Sequence, residues 1–179
     1  MTAGVWNTLA TIFIPRMDIK TLAPKQYRNG TNYRQGYYDP VNRDKYVGRY
    51  PIIYRSSWEY RMCKLLDLNE CVKQWGSECV KVRYFSSIDQ RYHEYFPDFY
   101  FVYEKDGEVR KYVIEVKPKK YLTAPEKPKR ITEKSLANYR YESATYIRNM
   151  EKAKACKAYC DGNGLEYKFV TEDSRLPDL

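Results

Sequence analysis

Asp98, Glu115 and Lys117 fall within one stretch of the chain, PDFYFVYEKDGEVRKYVIEVKPKK at residues 97–120. It reads as two strands joined by Asp106-Gly107, because both central residues of a type I′ turn need φ > 0. With that loop Lys105 pairs with Glu108, and counting back sets Asp98 opposite Glu115. Cross-strand partners hold their Cβ atoms about 5 Å apart, and like charges there repel. The two carboxylates therefore call for a cation between them. Strand alternation puts Lys117 on the face of Glu115, with Ile114 and Val116 on the other. Phosphodiester cleavage needs an activated water, a neutralised phosphate and help for the departing oxygen, all of which a hard divalent cation on carboxylates supplies. Asp98 and Glu115 are the candidate ligands, with the Val116 carbonyl as a backbone donor. Lys117 orients or deprotonates the attacking water, or offsets transition-state charge; both roles stay open. Glu-x-Lys alone also fits the wet face of a half-buried sheet, and the register is what favours the chemical reading.

The elements around the stretch must hold these groups. Ser56-Ser57-Trp58-Glu59 is a capping-box pattern, Ser at the N-cap and Glu at N3. Trp58, Met62, Leu65 and Leu66 follow as a core stripe of a helix ending near Asp67–Asn69. Glu59 is either the capping carboxylate or an acid assisting a second metal. A strand is expected at about Glu78–Phe85, then a loop, then the hairpin. Residues 117–134 form a basic linker broken by Pro118, Pro125 and Pro128. A longer helix is expected over Tyr139–Cys160, with Ala144, Ile147, Ala155 and Ala158 toward the core and Gly162 and Gly164 as stop signals. Glu166–Val170 closes the sheet. The order α-β-β-β-α-β predicts an α/β fold with a mixed sheet and helices on its faces. Residues 1–53 read as a Tyr-rich basic arm with a helix or docking strand undecided at 1–15, residues 54–173 as the core, and 174–179 as a polar tail.

The chain has 179 residues, a formal net charge of +9 and 20 tyrosines, many among Lys and Arg. Such interleaving suits phosphate contact combined with stacking on bases, so nucleic acid is the first candidate partner. Its contacts are expected from Arg28, Arg34, Arg43, Lys45, Arg49 and Arg55 before the core, and from Lys119, Lys120, Lys127, Lys129 and Arg130 after the hairpin. The arm equally fits a surface wrap with solvated charges. No apolar run is long enough to cross a bilayer, and no small-molecule substrate is indicated. Five cysteines without a C-x-x-C pair argue for free thiols and against a zinc site. Cys156 and Cys160 read as small core or surface residues, and the single histidine, His93, as solvated or DNA-contacting.

Together these residues resemble the PD-(D/E)xK nuclease superfamily, with Pro97-Asp98 as its first element and Glu115-Val116-Lys117 as its second. Four longer segments narrow the resemblance: Tyr54–Glu59, Tyr95–Phe99, Glu115–Lys120 and Glu166–Glu172. Over roughly residues 50–173 the set looks like the head completion nuclease family of tailed bacteriophages. That resemblance implies a restriction-endonuclease-like αβββαβ core and a Mg²⁺-dependent DNA endonuclease, with Mn²⁺ substituting. It implies that Asp98, Glu115 and Lys117 are catalytic and raises Glu59 as a fourth acidic member. Lys152 or Asn149 is the candidate polar residue of the following helix, whose Ala153 and Ala155 leave it lean. The implied partners are DNA and phage portal or head-neck proteins, in the host cytoplasm during assembly and then in the virion head. A transposase or junction-resolving endonuclease subunit, and a non-catalytic DNA-binding plug at the portal, remain as alternatives.

Overall fold

The computed structural model describes residues 35–174; the expectations for residues 1–15, Arg28 and Arg34 lie outside them. The described chain runs β1 (Gly36–Tyr38), β2 (Ile52–Tyr54), α1 (Ser57–Leu68), β3 (Val72–Ser77), β4 (Val82–Ser86), β5 (Arg91–Tyr95), β6 (Phe99–Lys105), β7 (Glu108–Val116), α2 (Glu133–Asn163) and β8 (Glu166–Val170). Four strands form the central sheet in the order β3-β6-β7-β8. β3, β6 and β7 are antiparallel neighbours, and β8 joins β7 in parallel, so the sheet is mixed as expected. The remaining strands form two separate hairpins, β1-β2 and β4-β5. No described helix is long and apolar enough to cross a membrane.

The β6-β7 turn has the expected chemistry. Asp106 and Gly107 take φ of 53° and 80°, and Lys105 faces Glu108 in a ladder that runs without a slip to Phe99 and Ile114. Along β7, Tyr112 and Ile114 enter one core cluster with Met62, Leu66, Trp75 and Phe101 on the α1 side. Val113 enters the other, with Val82, Tyr84, Tyr95, Cys156 and Cys160 on the α2 side. A strand covered on both faces reads as a continuous apolar run. Glu115, at 6% exposure, is the polar exception within it.

Three expectations are corrected. The first core strand is β3, not Glu78–Phe85: Glu78 sits at φ 49° in the connection, and Val82–Ser86 belongs to an inserted hairpin. Arg91–Tyr95, within the expected loop, is β5, and its turn places Gln90 at φ 57° where no glycine announces it. In α2 the core residues are Cys156 and Cys160, whereas Ile147 is exposed, as is Ala158. Asn149, Lys152, Cys156 and Cys160 share one helical face by their spacing. The apolar stripe breaks because the face passes from the core to the polar groups around Glu115. Thr132 caps α2 through a reciprocal box with Ser135, so the helix starts earlier than the Tyr139 expected, and Gly164 ends it at φ 65°.

The described part of the basic segment lies on the core. Tyr38, Tyr46 and Ile52 are buried in the α1-side cluster. Asp67, fully buried near the end of α1, accepts hydrogen bonds from the Tyr38 hydroxyl (2.8 Å) and from the N–H groups of Val41 (2.7 Å) and Asn42 (2.9 Å). One carboxylate thus pins the β1-β2 segment to α1.

Candidate active site

Asp98 precedes β6, and Glu115 and Lys117 stand at the end of β7, so the antiparallel register brings all three to one end of the sheet. The Asp98 Oδ2 accepts the Val116 N–H at 2.7 Å, which ties the first carboxylate to the strand bearing the second. Lys117 Nζ donates to Glu115 Oε1 at 2.6 Å and reaches Asn149 Oδ1 of α2 at 3.5 Å. The other Glu115 oxygen, Oε2, accepts from the Tyr95 hydroxyl. Tyr167 of β8 packs against the same α2-side cluster as Tyr95. Burial, followed by the charge of Glu115, holds the Asp98 carboxyl well above the usual carboxylate range, and the Val116 N–H only partly offsets this. Lys152 Nζ lies 5.2 Å from the Tyr95 ring centre. Burial and then the Lys117 charge hold its ammonium below the ordinary lysine value.

Glu59 is the capping carboxylate in geometry. The Ser56 hydroxyl accepts the Glu59 N–H at 3.1 Å and donates to Glu59 Oε1 at 2.9 Å, while Oε2 takes the N–H of Arg55 (2.7 Å) rather than that of Ser56. Its charge is nevertheless among those that raise Asp98, so α1 starts within electrostatic reach of the site. Among the described residues no group of three His, Cys, Asp or Glu side chains is placed to hold a metal.

The basic candidates divide. Arg43 pairs with Asp39 in an exposed bridge, whereas Lys45 donates to the Asp67 and Asn69 carbonyls and ties its segment to the end of α1. Arg55 pairs with Glu78 and Lys119 with Asp173; both pairs are exposed, worth little in water and readily exchanged for a phosphate. Arg49 and Arg55 line one small groove. Lys120 stands over the Tyr121 ring, and Lys127, Lys129 and Arg130 are exposed in the proline-broken loop. His93 sits half-buried on β5, bonded to Asp89 and facing Tyr84.

Tyr95 and Tyr167 received no role from the sequence. Tyr95 opens the Tyr95–Phe99 segment and ends β5 three residues before Asp98, but nothing local marks it as the partner of Glu115.

A model of the TnsA-like endonuclease N-terminal domain matches residues 69–172. The head completion nuclease of Enterobacteria phage T4 is 33% identical over 139 residues, 77% of this chain and 91% of that protein. The chain belongs to the head completion nuclease family. No solved structure matches it. For a family member of this kind the fold is restriction-endonuclease-like, consistent with α1, the β3-β6-β7 meander, α2 and β8 standing in the α-β-β-β-α-β order. Relative to that order, β1-β2 and β4-β5 are additions, and the second of them delivers Tyr95 to Glu115. Both matches support nuclease function in this family member.

Proposed function

We propose that this chain is a divalent-metal-dependent DNA endonuclease that trims or cuts DNA as a phage head is completed, docking at the head-tail junction. The observation that carries the reading is the joint placement of Asp98, Glu115 and Lys117 at one sheet end, on a half-buried to buried face. The donor set fits a hard cation. Two neighbouring carboxylates repel on this face, and Mg²⁺ takes one or two such ligands while keeping its waters. Asp98 and Glu115 would hold it, with the Val116 carbonyl at the strand end and Glu59 as the reserve acid for a second ion. Bound there, the metal lowers the pKa of a water and neutralises phosphate charge.

The chain's own groups do the rest. Lys117, anchored between Glu115 and Asn149, presents an ammonium to the phosphate or to the attacking water. Tyr95 fixes the orientation of Glu115. Exposed cations of the 117–134 loop hold the DNA backbone. Incubating supercoiled plasmid with the protein in Mg²⁺, in Mn²⁺ and in EDTA tests the reading: nicking in the two metals and none in EDTA is expected, and binding without nicking in any of them would leave a DNA-binding plug. The TnsA-like match favours one second reading, a transposase-type endonuclease with the same chemistry. Cleavage confined to particular DNA ends rather than to branched or packaged DNA would support it.

Tyr95→Phe removes one hydroxyl from the Glu115 carboxylate and leaves the ring in the core. Partners of this kind are worth about 10–100-fold in activity or metal affinity. The variant is expected to need more Mg²⁺ for half-maximal cleavage, and an unchanged Mg²⁺ titration would remove Tyr95 from the site.

A further inference from the structure

Beside the site a groove of about 920 Å³ runs between the segment after β7 and the N-terminal half of α2. Lys117 and Asn149 line it, so it opens directly from the groups that surround Glu115. Its walls carry Lys120 and three tyrosines, Tyr121, Tyr141 and Tyr146. Lys120 Nζ stands 4.7 Å from the Tyr121 ring centre, so a cation and a ring face are offered together. Tyr141 is 73% exposed. The helix half that bears it contributes nothing to the core, since the buried residues of α2 are Cys156 and Cys160. The most exposed of these rings, Tyr141, is therefore not held by core packing.

Charge says what the groove accepts. Lys117 and Lys120 line it with Glu142 as its acid, and the flanking segment 117–134 carries seven Lys and Arg against Glu126 and Glu133, Lys117 and Lys119 being paired with Glu115 and Asp173. An anionic polymer is favoured. The rings choose among such polymers, because a duplex shows phosphates outside and keeps its base faces stacked within. Bases of an unpaired strand have free faces, and each stacks on an aromatic ring for about 1–3 kcal/mol.

We infer that this groove binds an unpaired stretch of DNA strand, its bases stacked on Tyr121, Tyr141 and Tyr146, next to the phosphate held at Lys117. The placement of the phosphate rests on the nuclease reading; the strand preference does not. The expected substrates are DNA with an overhang, flap or gap, the unpaired strand running from the site along α2.

The test separates the two readings. Full-length protein in EDTA is titrated against a fluorescent oligothymidylate carrying 5-iodouracil and against a blunt hairpin duplex. Tyr121→Ala/Tyr141→Ala is expected to weaken oligothymidylate binding by about tenfold or more and to leave duplex binding within about twofold. Tyr121→Phe/Tyr141→Phe, which keeps the rings, is expected to bind as wild type. Irradiation of the wild-type complex is expected to crosslink the oligonucleotide within residues 117–149, a readout that holds even if the alanine variant fails to fold. Equal loss for both DNAs in a folded alanine variant, no loss for either, crosslinks only elsewhere, or equal competition by polyglutamate would each overturn the inference. Groove-dependent binding without cleavage in Mg²⁺ would sink the nuclease reading alone; cleavage without groove dependence would sink the groove alone.

Discussion

Glu115→Ala is expected to abolish metal-dependent nicking of supercoiled plasmid, with a fall on the order of 10³-fold or more, while affinity for DNA measured in EDTA is kept. Glu115 is the residue through which the other parts of the site are connected. It takes the Lys117 ammonium on one oxygen and the Tyr95 hydroxyl on the other, and its charge bears on Asp98. Truncation removes a candidate metal ligand and also strands Lys117 and Tyr95, each such loss costing about 1–3 kcal/mol of stability. Glu115→Gln keeps the volume and part of the hydrogen bonding, and it separates lost chemistry from lost folding. A Gln variant that melts as wild type and does not cut assigns the carboxylate to the reaction. Undiminished cutting in both variants would remove Glu115 from the mechanism.

The largest effect on stability is expected from Asp67→Ala, a residue remote from any chemical role. Three donors would lose their buried acceptor at once: the Tyr38 hydroxyl and the Val41 and Asn42 amides. At about 1–3 kcal/mol each, and without full additivity, the loss should be about 3–5 kcal/mol. Urea unfolding measures it, and a change below about 1 kcal/mol would show that Asp67 does not pin the β1-β2 segment. Burial pushes the Asp67 carboxyl up, but the bonds from Tyr38, Asn42 and Val41 outweigh it and leave the group below the ordinary aspartate value. Its stabilisation is therefore full above the unfolded value of about 3.9 and is lost as the pH falls through the lower folded value. Wild type is expected to lose this increment in strong acid, and Asp67→Ala to have none to lose.

The parts of this fold legible in the sequence are those specified by local chemistry. Asp106-Gly107 admits the positive φ angles that set the register, and the register alone brings Asp98 to the strand end that bears Glu115. Ser56 with Glu59 starts α1, and β8 spans the residues expected of it. What was not legible depends on partners distant in sequence. The β4-β5 hairpin turns at Gln90 without a glycine, and β1-β2 is held by Asp67, which looks like the polar end of an ordinary surface helix. The buried face of α2 differs from the expected one because Asn149 and Lys152 interrupt its apolar stripe, and they do so where the helix passes over the site. Tyr95 and Tyr167 were hidden for the same reason. Nothing next to either in sequence signals a buried carboxylate.

The parallel seating of β8 beside β7 has a consequence for biosynthesis. Asp98, Glu115 and Lys117 are all translated before α2, but Asn149 and Lys152 lie on α2, and Tyr167 lies on the strand that follows it. The Lys117 N–H is itself held by the Val170 carbonyl at the end of β8. A nascent chain that has emerged only to Lys134 therefore carries both carboxylates and their direct partners but lacks Asn149 and the Val170 carbonyl, which steady Lys117. Parallel pairing across a long helix is also a slow, non-local contact. The set of contacts around Lys117 is complete only after the most C-terminal described strand has been made and docked on β7.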